Sequence, residues 1–172
     1  MKKRLLLIAT VLTMCCTFAG AQKYALVDME YILNRIPAYE RANEQLNQLS
    51  KRWQAEVDAV SLEAQNLYKT YQSESVFLSE EQKNRKENEI IEKDKKASEL
   101  KKQYFGPEGE YYKKRESLMA PIQDEIYEAV KKISETAGYQ MVIDRSSASS
   151  IVFASPKIDI SNEVLRSLGY TE

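Results

Sequence analysis

Between Tyr39 and Tyr71 the apolar residues are Tyr39, Ala42, Leu46, Leu49, Trp53, Val57, Val60, Ala64, Leu67 and Tyr71. Steps of three and four alternate along this run, with one repeated step of four at Trp53 to Val57. The alternation puts every member on one stripe of an α-helix, and the repeated step marks a slip in a coiled-coil repeat. About 38 helical residues at ~1.5 Å each give a rod of roughly 55–60 Å. Such a helix is too long for one compact domain, so it is expected to project as the first arm of a hairpin.

The stripe is interrupted at Ser73–Ser79, and Ser79-Glu80-Glu81-Gln82 has the order of a capping box, which starts a new helix. The tip of the hairpin is placed there. The return arm, Glu80 to Tyr104, offers only Ile90, Ile91, Ala97 and Leu100 as appreciable apolar residues. With so little core to bury, it is expected to be mobile. Phe105-Gly106-Pro107-Glu108-Gly109 then breaks the helix. If that break is a hinge, alanine at Gly106 and Gly109 should stiffen it. Beyond it the stripe resumes at Met119, Ile122, Ile126, Val130, Ile133 and Ala137, with Pro121 inside the run predicting a kink.

The two ends of the chain have a different pattern. Tyr24-Ala25-Leu26-Val27 predicts a short strand, and Glu30 to Arg35 a short helix that stops before Pro37, which then opens the long helix. Gly138 is a suitable helix terminator. Tyr139 to Asp144 predicts a second strand, and a Ser-rich turn joins it to a third at Ile151 to Ala154, as a β-hairpin. Asp159 or Ser161 can cap a last helix, Asn162 to Leu168, with Val164, Leu165 and Leu168 covering one face of the sheet. The predicted fold class is therefore mainly α with a small β body (α+β). Residues 22–37 with 120–172 form the body, and 38–119 form the helical-hairpin arm with its tip near 73–79. Three short strands make a poor sheet alone, and pooling them in an oligomer would bury their edges. Leu26, Val27, Val142, Ile143, Val152 and Phe153 are the candidate oligomerisation residues.

Composition adds an address and several exclusions. Lys2, Lys3 and Arg4, the apolar stretch Leu5 to Met14, and Ala19-Gly20-Ala21 make residues 1–21 a cleavable export signal ahead of Gln22. A competing reading is a lipoprotein carrying lipid on Cys15 or Cys16, against which stand the bulky Met14 before Cys15 and Thr13 three places before Cys16. Cleavage removes both cysteines, so no disulfide is expected in the mature chain. It also takes three of the 25 basic residues, leaving 22 against 26 acidic ones and no basic field for nucleic acid. The sequence has no histidine, and no glycine-rich phosphate loop. An enzyme is therefore not expected, nor any cofactor, metal or catalytic residue. The many helical carboxylates are expected to be solvated faces with neighbouring basic partners.

The segments Tyr24-Ala25-Leu26-Val27-Asp28-Met29, Gly138-Tyr139-Gln140-Met141-Val142-Ile143-Asp144, Ile151-Val152-Phe153 and Ile158-Asp159-Ile160-Ser161-Asn162-Glu163-Val164-Leu165 flank one charged hairpin. In this order they resemble the Skp/OmpH family of periplasmic chaperones. The resemblance implies a homotrimer of small β-rich bodies whose arms enclose a cavity, where unfolded outer-membrane proteins are held without ATP. Tyr71, Phe77, Tyr104, Phe105, Tyr111 and Tyr112 are the candidate client-binding residues, because amphipathic rings make many weak, sequence-tolerant contacts. Against this stands simple packing of the rings between the arms, above all for Tyr68 and Tyr71. The chain departs from the family's usual basic character. Positive excess is confined to Lys83–Lys102, with eight Lys/Arg against five Asp/Glu. That weakens the case for lipopolysaccharide contact, and no lipid-binding residues carry over. A second class of explanation is a structural coiled-coil spacer of the envelope, whose arms bind one fixed folded partner.

Overall fold

The computed structural model describes residues 22–148 and 150–170. The expected export signal, including Cys15 and Cys16, lies outside the described residues. In chain order the elements are β1 (Lys23–Val27), α1 (Met29–Leu33), α2 (Pro37–Glu74), a 3-10 turn (Ser75–Phe77), α3 (Glu80–Phe105), α4 (Glu110–Ala137), β2 (Tyr139–Asp144), a second 3-10 turn (Pro156–Ile158) and α5 (Ser161–Ser167). The fold is mainly helical, with one small two-stranded sheet. Two compact units are distinguished. One holds the described residues up to Arg35 and those from Glu125 onward; the other is Ile36–Asp124.

The Ile36–Asp124 unit is built on the apolar stripe. Pro37 occupies the first turn of α2, where its missing N–H costs nothing. The buried residues of α2 are Ala42, Leu46, Trp53, Val57 and Ala64, all members of the stripe, and its remaining members are half-buried. Helix α3 runs antiparallel to α2: Tyr104 meets Glu56, Lys93 meets Glu63, and Lys86 meets Glu74, the partners climbing one helix as they descend the other. The tip is where expected. Ser79 Oγ accepts the Gln82 N–H at 3.3 Å while Gln82 Oε1 accepts the Ser79 N–H at 2.9 Å, closing a reciprocal cap on α3.

In the other unit the sheet is not the expected hairpin. β1 pairs with β2 in parallel, with Tyr24 opposite Met141, Ala25 opposite Val142, Leu26 opposite Ile143 and Val27 opposite Asp144. Parallel neighbours need a long crossover, and here α1 to α4 all lie between the two strands. Ile151–Ala154 forms no strand, which corrects the predicted third one. After β2 the chain turns, with Asp144 Oδ1 accepting the Ser146 N–H at 3.0 Å. It then returns to β1: Ile160 N–H donates to Leu26 O at 2.9 Å, and Leu26 bridges Asp159. That edge of β1 is thus taken by Asp159 and Ile160. The apolar run at 151–154 had strand propensity without a ladder to join, a case of context overriding propensity.

Ala25, Leu26 and Val27 on β1, Ile32 on α1, Ile126, Ala129 and Ile133 on α4, and Ile160, Val164 and Leu165 at α5 are the buried apolar residues of this unit. Burying each of the larger ones stabilises by about 1.5–3 kcal/mol. Leu168, expected beside Val164 and Leu165, is only half-buried. Gly138 closes α4 at φ +75°, a left-handed conformation that other residues rarely adopt, and its N–H donates to Ser134 O. The cap of α5 departs from expectation. Its N-cap is Ile160, which has no side-chain acceptor, and Asp159 Oδ1 instead takes the Ser161 N–H at 2.9 Å.

Candidate functional site

Among the described residues no group of His, Cys, Asp and Glu has metal-binding geometry, and no helix is long and apolar enough to cross a membrane. The candidate site is a set of surfaces, and the two units contribute different ones.

On the hairpin, three of the six candidate client-binding residues belong to one aromatic cluster. The Tyr104 ring stacks on Trp53 at 5.2 Å between centroids with 11° between planes. Phe105 stands edge-on to both, at 6.4 Å from each, and reaches Tyr111 across the helix break at 6.2 Å. Tyr104 also donates its hydroxyl to Glu56 Oε2 at 2.5 Å. That hydrogen bond, followed by desolvation of the phenol, holds the Tyr104 pKa above its ordinary value. Tyr71 is half-buried and donates to Glu87, which likewise raises its pKa. Tyr112 is more exposed, on the far side of the break.

Phe77 is the most exposed of the six. Together with Val76 it sits on the 3-10 turn at the tip, and the two are 87% and 84% exposed. The charges around them are paired off: Glu74 with Lys86 at 2.6 Å, Glu80 with Lys83 at 2.8 Å and Glu81 with Arg85 at 3.7 Å. Leu62, Tyr68 and Ile91 are exposed along the arms as well. The hairpin therefore offers apolar side chains one or two at a time, spaced over a charged surface.

In the other unit, the candidate oligomerisation residues divide. Leu26 and Val27 are buried in this chain's own core, Val142 is half-buried, and Ile143 is partly exposed. Val152 and Phe153 are 100% and 85% exposed on the segment that forms no strand.

Beside that segment is a polar knot that the sequence reading missed. Arg145 binds Asp28 at 3.0 Å and Asp159 at 3.4 Å; Asp28 Oδ1 caps α1 by accepting the Tyr31 N–H at 2.8 Å; and Ser161 Oγ accepts the Asp28 N–H while donating to Asp159 Oδ1 at 2.6 Å. Asp144 completes it, accepting the Met29 N–H at 3.1 Å and the Ser146 hydroxyl at 2.7 Å. Burial pushes the Asp144 pKa up, but the hydrogen bonds from Ser146, Met29 and Ser147 outweigh burial and hold it below its ordinary value. The available signal was that both strands end on an aspartate, at Asp28 and at Asp144-Arg145. A cleft of about 330 Å³ lined by Leu26, Tyr31, Arg145, Pro156 and Asn162 adjoins the knot. The ionic groups beside it are already paired, and the knot fastens the two strand ends to the segment at Asp159 and Ser161.

Comparison with known proteins agrees with this architecture. A chaperone protein Skp from Yersinia enterocolitica is 26% identical over 148 residues, covering 85% of each chain. A solved OmpH-like structure from Caulobacter crescentus superposes with a TM-score of 0.67 at 11% identity, covering 87% of this chain and 85% of that one, which shows the shared fold. The family model described as outer membrane protein (OmpH-like) matches residues 23–168, nearly the whole described chain, and the chain belongs to that family.

Proposed function

We propose that this protein is an ATP-independent holdase of the periplasm, exported by a cleaved leader, that keeps unfolded outer-membrane proteins from aggregating. It does so as a homotrimer, with the arms surrounding the client. Family membership and the similarity to a chaperone protein Skp support the reading. The observation that carries it is the distribution of apolar side chains on the hairpin: Leu62, Tyr68, Val76, Phe77, Ile91 and Tyr112 are exposed one or two at a time among ion-paired charges. A surface of this kind makes many weak contacts with varied apolar segments and lacks the single broad apolar patch that fixes one partner. Phe77 and Tyr112 are the better client contacts of the six candidates, since Tyr104, Phe105 and Tyr111 are engaged with one another. No bond is made or broken in this activity, and no nucleotide is needed.

The test is dilution of an unfolded β-barrel outer-membrane protein from urea into buffer without nucleotide, with and without purified Gln22–Glu172. Suppressed light scattering at a few subunits per client is the expected result. Unchanged scattering with a folded sample would overturn the holdase and leave a structural spacer that binds one folded partner.

A further inference from the structure

We infer that the Gly106–Gly109 interruption is a clamped joint, held shut against α2 by the Trp53–Tyr104 ring pair, and not a free hinge. Three independent observations converge on it.

The first is the aromatic bridge. Tyr104 lies in the last turn of α3, and its ring is stacked 5.2 Å from Trp53, a residue of α2 that is only 9% exposed, while its hydroxyl is tied to Glu56 one turn further along α2. Two different kinds of contact thus fasten the end of α3 to α2. The second is the ring chain across the gap. Phe105 precedes the break and Tyr111 follows it, and their rings meet at 6.2 Å, so the start of α4 is joined to the same cluster.

The third is how closely the backbone packs in the break itself. A Cβ on Gly106 would stand 2.4 Å from Lys102 O, and one on Gly109 would stand 2.7 Å from Tyr104 O and 2.9 Å from Gln103 O. Gly109 is buried, and its N–H donates to Gly106 O at 2.9 Å. The glycines are there because the chain folds tightly on itself, with no room for a side chain. Freedom of rotation is not what they supply. Bending at this point requires the rings to separate first, so the joint stays shut until that contact is broken.

Amide hydrogen exchange over residues 105–113 tests this in the intact chain, because clamp and hinge predict opposite signs for one substitution. Gly109→Ala in a free hinge restricts the chain and slows exchange. In the clamped joint it collides with Tyr104 O and speeds exchange, by about tenfold or more. Tyr104→Leu, which stays apolar but loses the stacked ring and the hydroxyl, is expected to speed exchange over 105–113 while leaving residues 80–97 as they were. Tyr104→Phe retains the stack and falls between. Slower exchange in Gly109→Ala, or no change in Tyr104→Leu, overturns the clamp. If Gly109→Ala fails to fold, the comparison of Tyr104→Leu with Tyr104→Phe decides alone. None of these readouts involves a client, so failure of the holdase reading and failure of the clamp are told apart.

Discussion

The two ends of the α2–α3 hairpin are held together by different means. Near the break, four rings pack on one another and a large apolar side chain is removed from water. Towards the tip the buried residues are Ala64 on α2 and Ile90 and Ala97 on α3, no rings among the described residues pack on one another, and the cross-helix contacts include ion pairs and a hydrogen bond between exposed or half-buried groups. Buried rings add ring-ring attraction to the burial of their area. Exposed ion pairs nearly cancel, since solvation and the ordering of two long side chains offset the Coulomb attraction. One end is therefore firm and the other is easily parted. Under the proposed holdase function, this places the compliant part where Val76 and Phe77 are exposed.

Removing Trp53 should break the comparison most severely. Trp53→Ala takes away the ring on which Tyr104 stacks and leaves a cavity against α3, at a cost of about 3–5 kcal/mol. Urea unfolding followed by circular dichroism, which does not need the lost tryptophan signal, measures it. A loss below about 1 kcal/mol would mean that the cluster does not anchor the hairpin.

The firm end was legible in the sequence as a stripe, but not as a cluster. Trp53 stood on the three-four alternation at its slip, and every buried residue of α2 was on that stripe. The reach of Tyr104 back to Trp53 depends on the length of the tip turn, which sets the register of α3 on α2 and has no local signature. The tip itself was legible, because the Ser79 capping box is a local device whose two hydrogen bonds span only three residues. The least legible part was the pairing of the strands. β1 and β2 were each found, but their parallel partnership joins Ala25 to Val142 across the whole hairpin, and Arg145 reaches Asp28 over a similar separation. Apolar periodicity identifies an element and its inward face; it does not name the partner. For the same reason the sequence left Tyr104, Phe105 and Tyr111 open between client contact and packing between the arms.

A smaller effect is expected at the tip. Ser79→Ala removes the acceptor for the Gln82 N–H and half of the reciprocal cap, costing about 0.5–2 kcal/mol for a cap of this type. The loss should be local. Amide exchange is expected to rise over the first turn of α3 and across Val76 and Phe77, with residues 105–113 unchanged. Equal acceleration at both places would show that the hairpin opens as one unit and that its two ends do not differ.

The smallest change sharpens the comparison without disrupting either end. Lys93 binds Glu63 across the helices, at 2.5 Å. The hydrogen bond from Lys93, followed by its charge, holds the Glu63 pKa below its ordinary value, and the same two effects of Glu63 raise that of Lys93. A lowered carboxyl contributes stability that is present above its unfolded value and is lost as pH falls through the folded one. A raised amine contributes stability that is present below its unfolded value and is lost as pH rises through the folded one. The pair therefore acts across the neutral range and fails at both extremes. In Glu63→Gln, the Lys93 pKa followed by NMR should return towards the ordinary lysine value, and molar salt should move it the same way, since exposed charges are screened within about 3 Å at 1 M. Tyr104 is raised by its own bond to Glu56 and should not respond to Glu63→Gln. A Lys93 value that stays high in the variant would trace the shift to Glu89, on its own helix, and would remove this ion pair from the forces that hold the distal arms together.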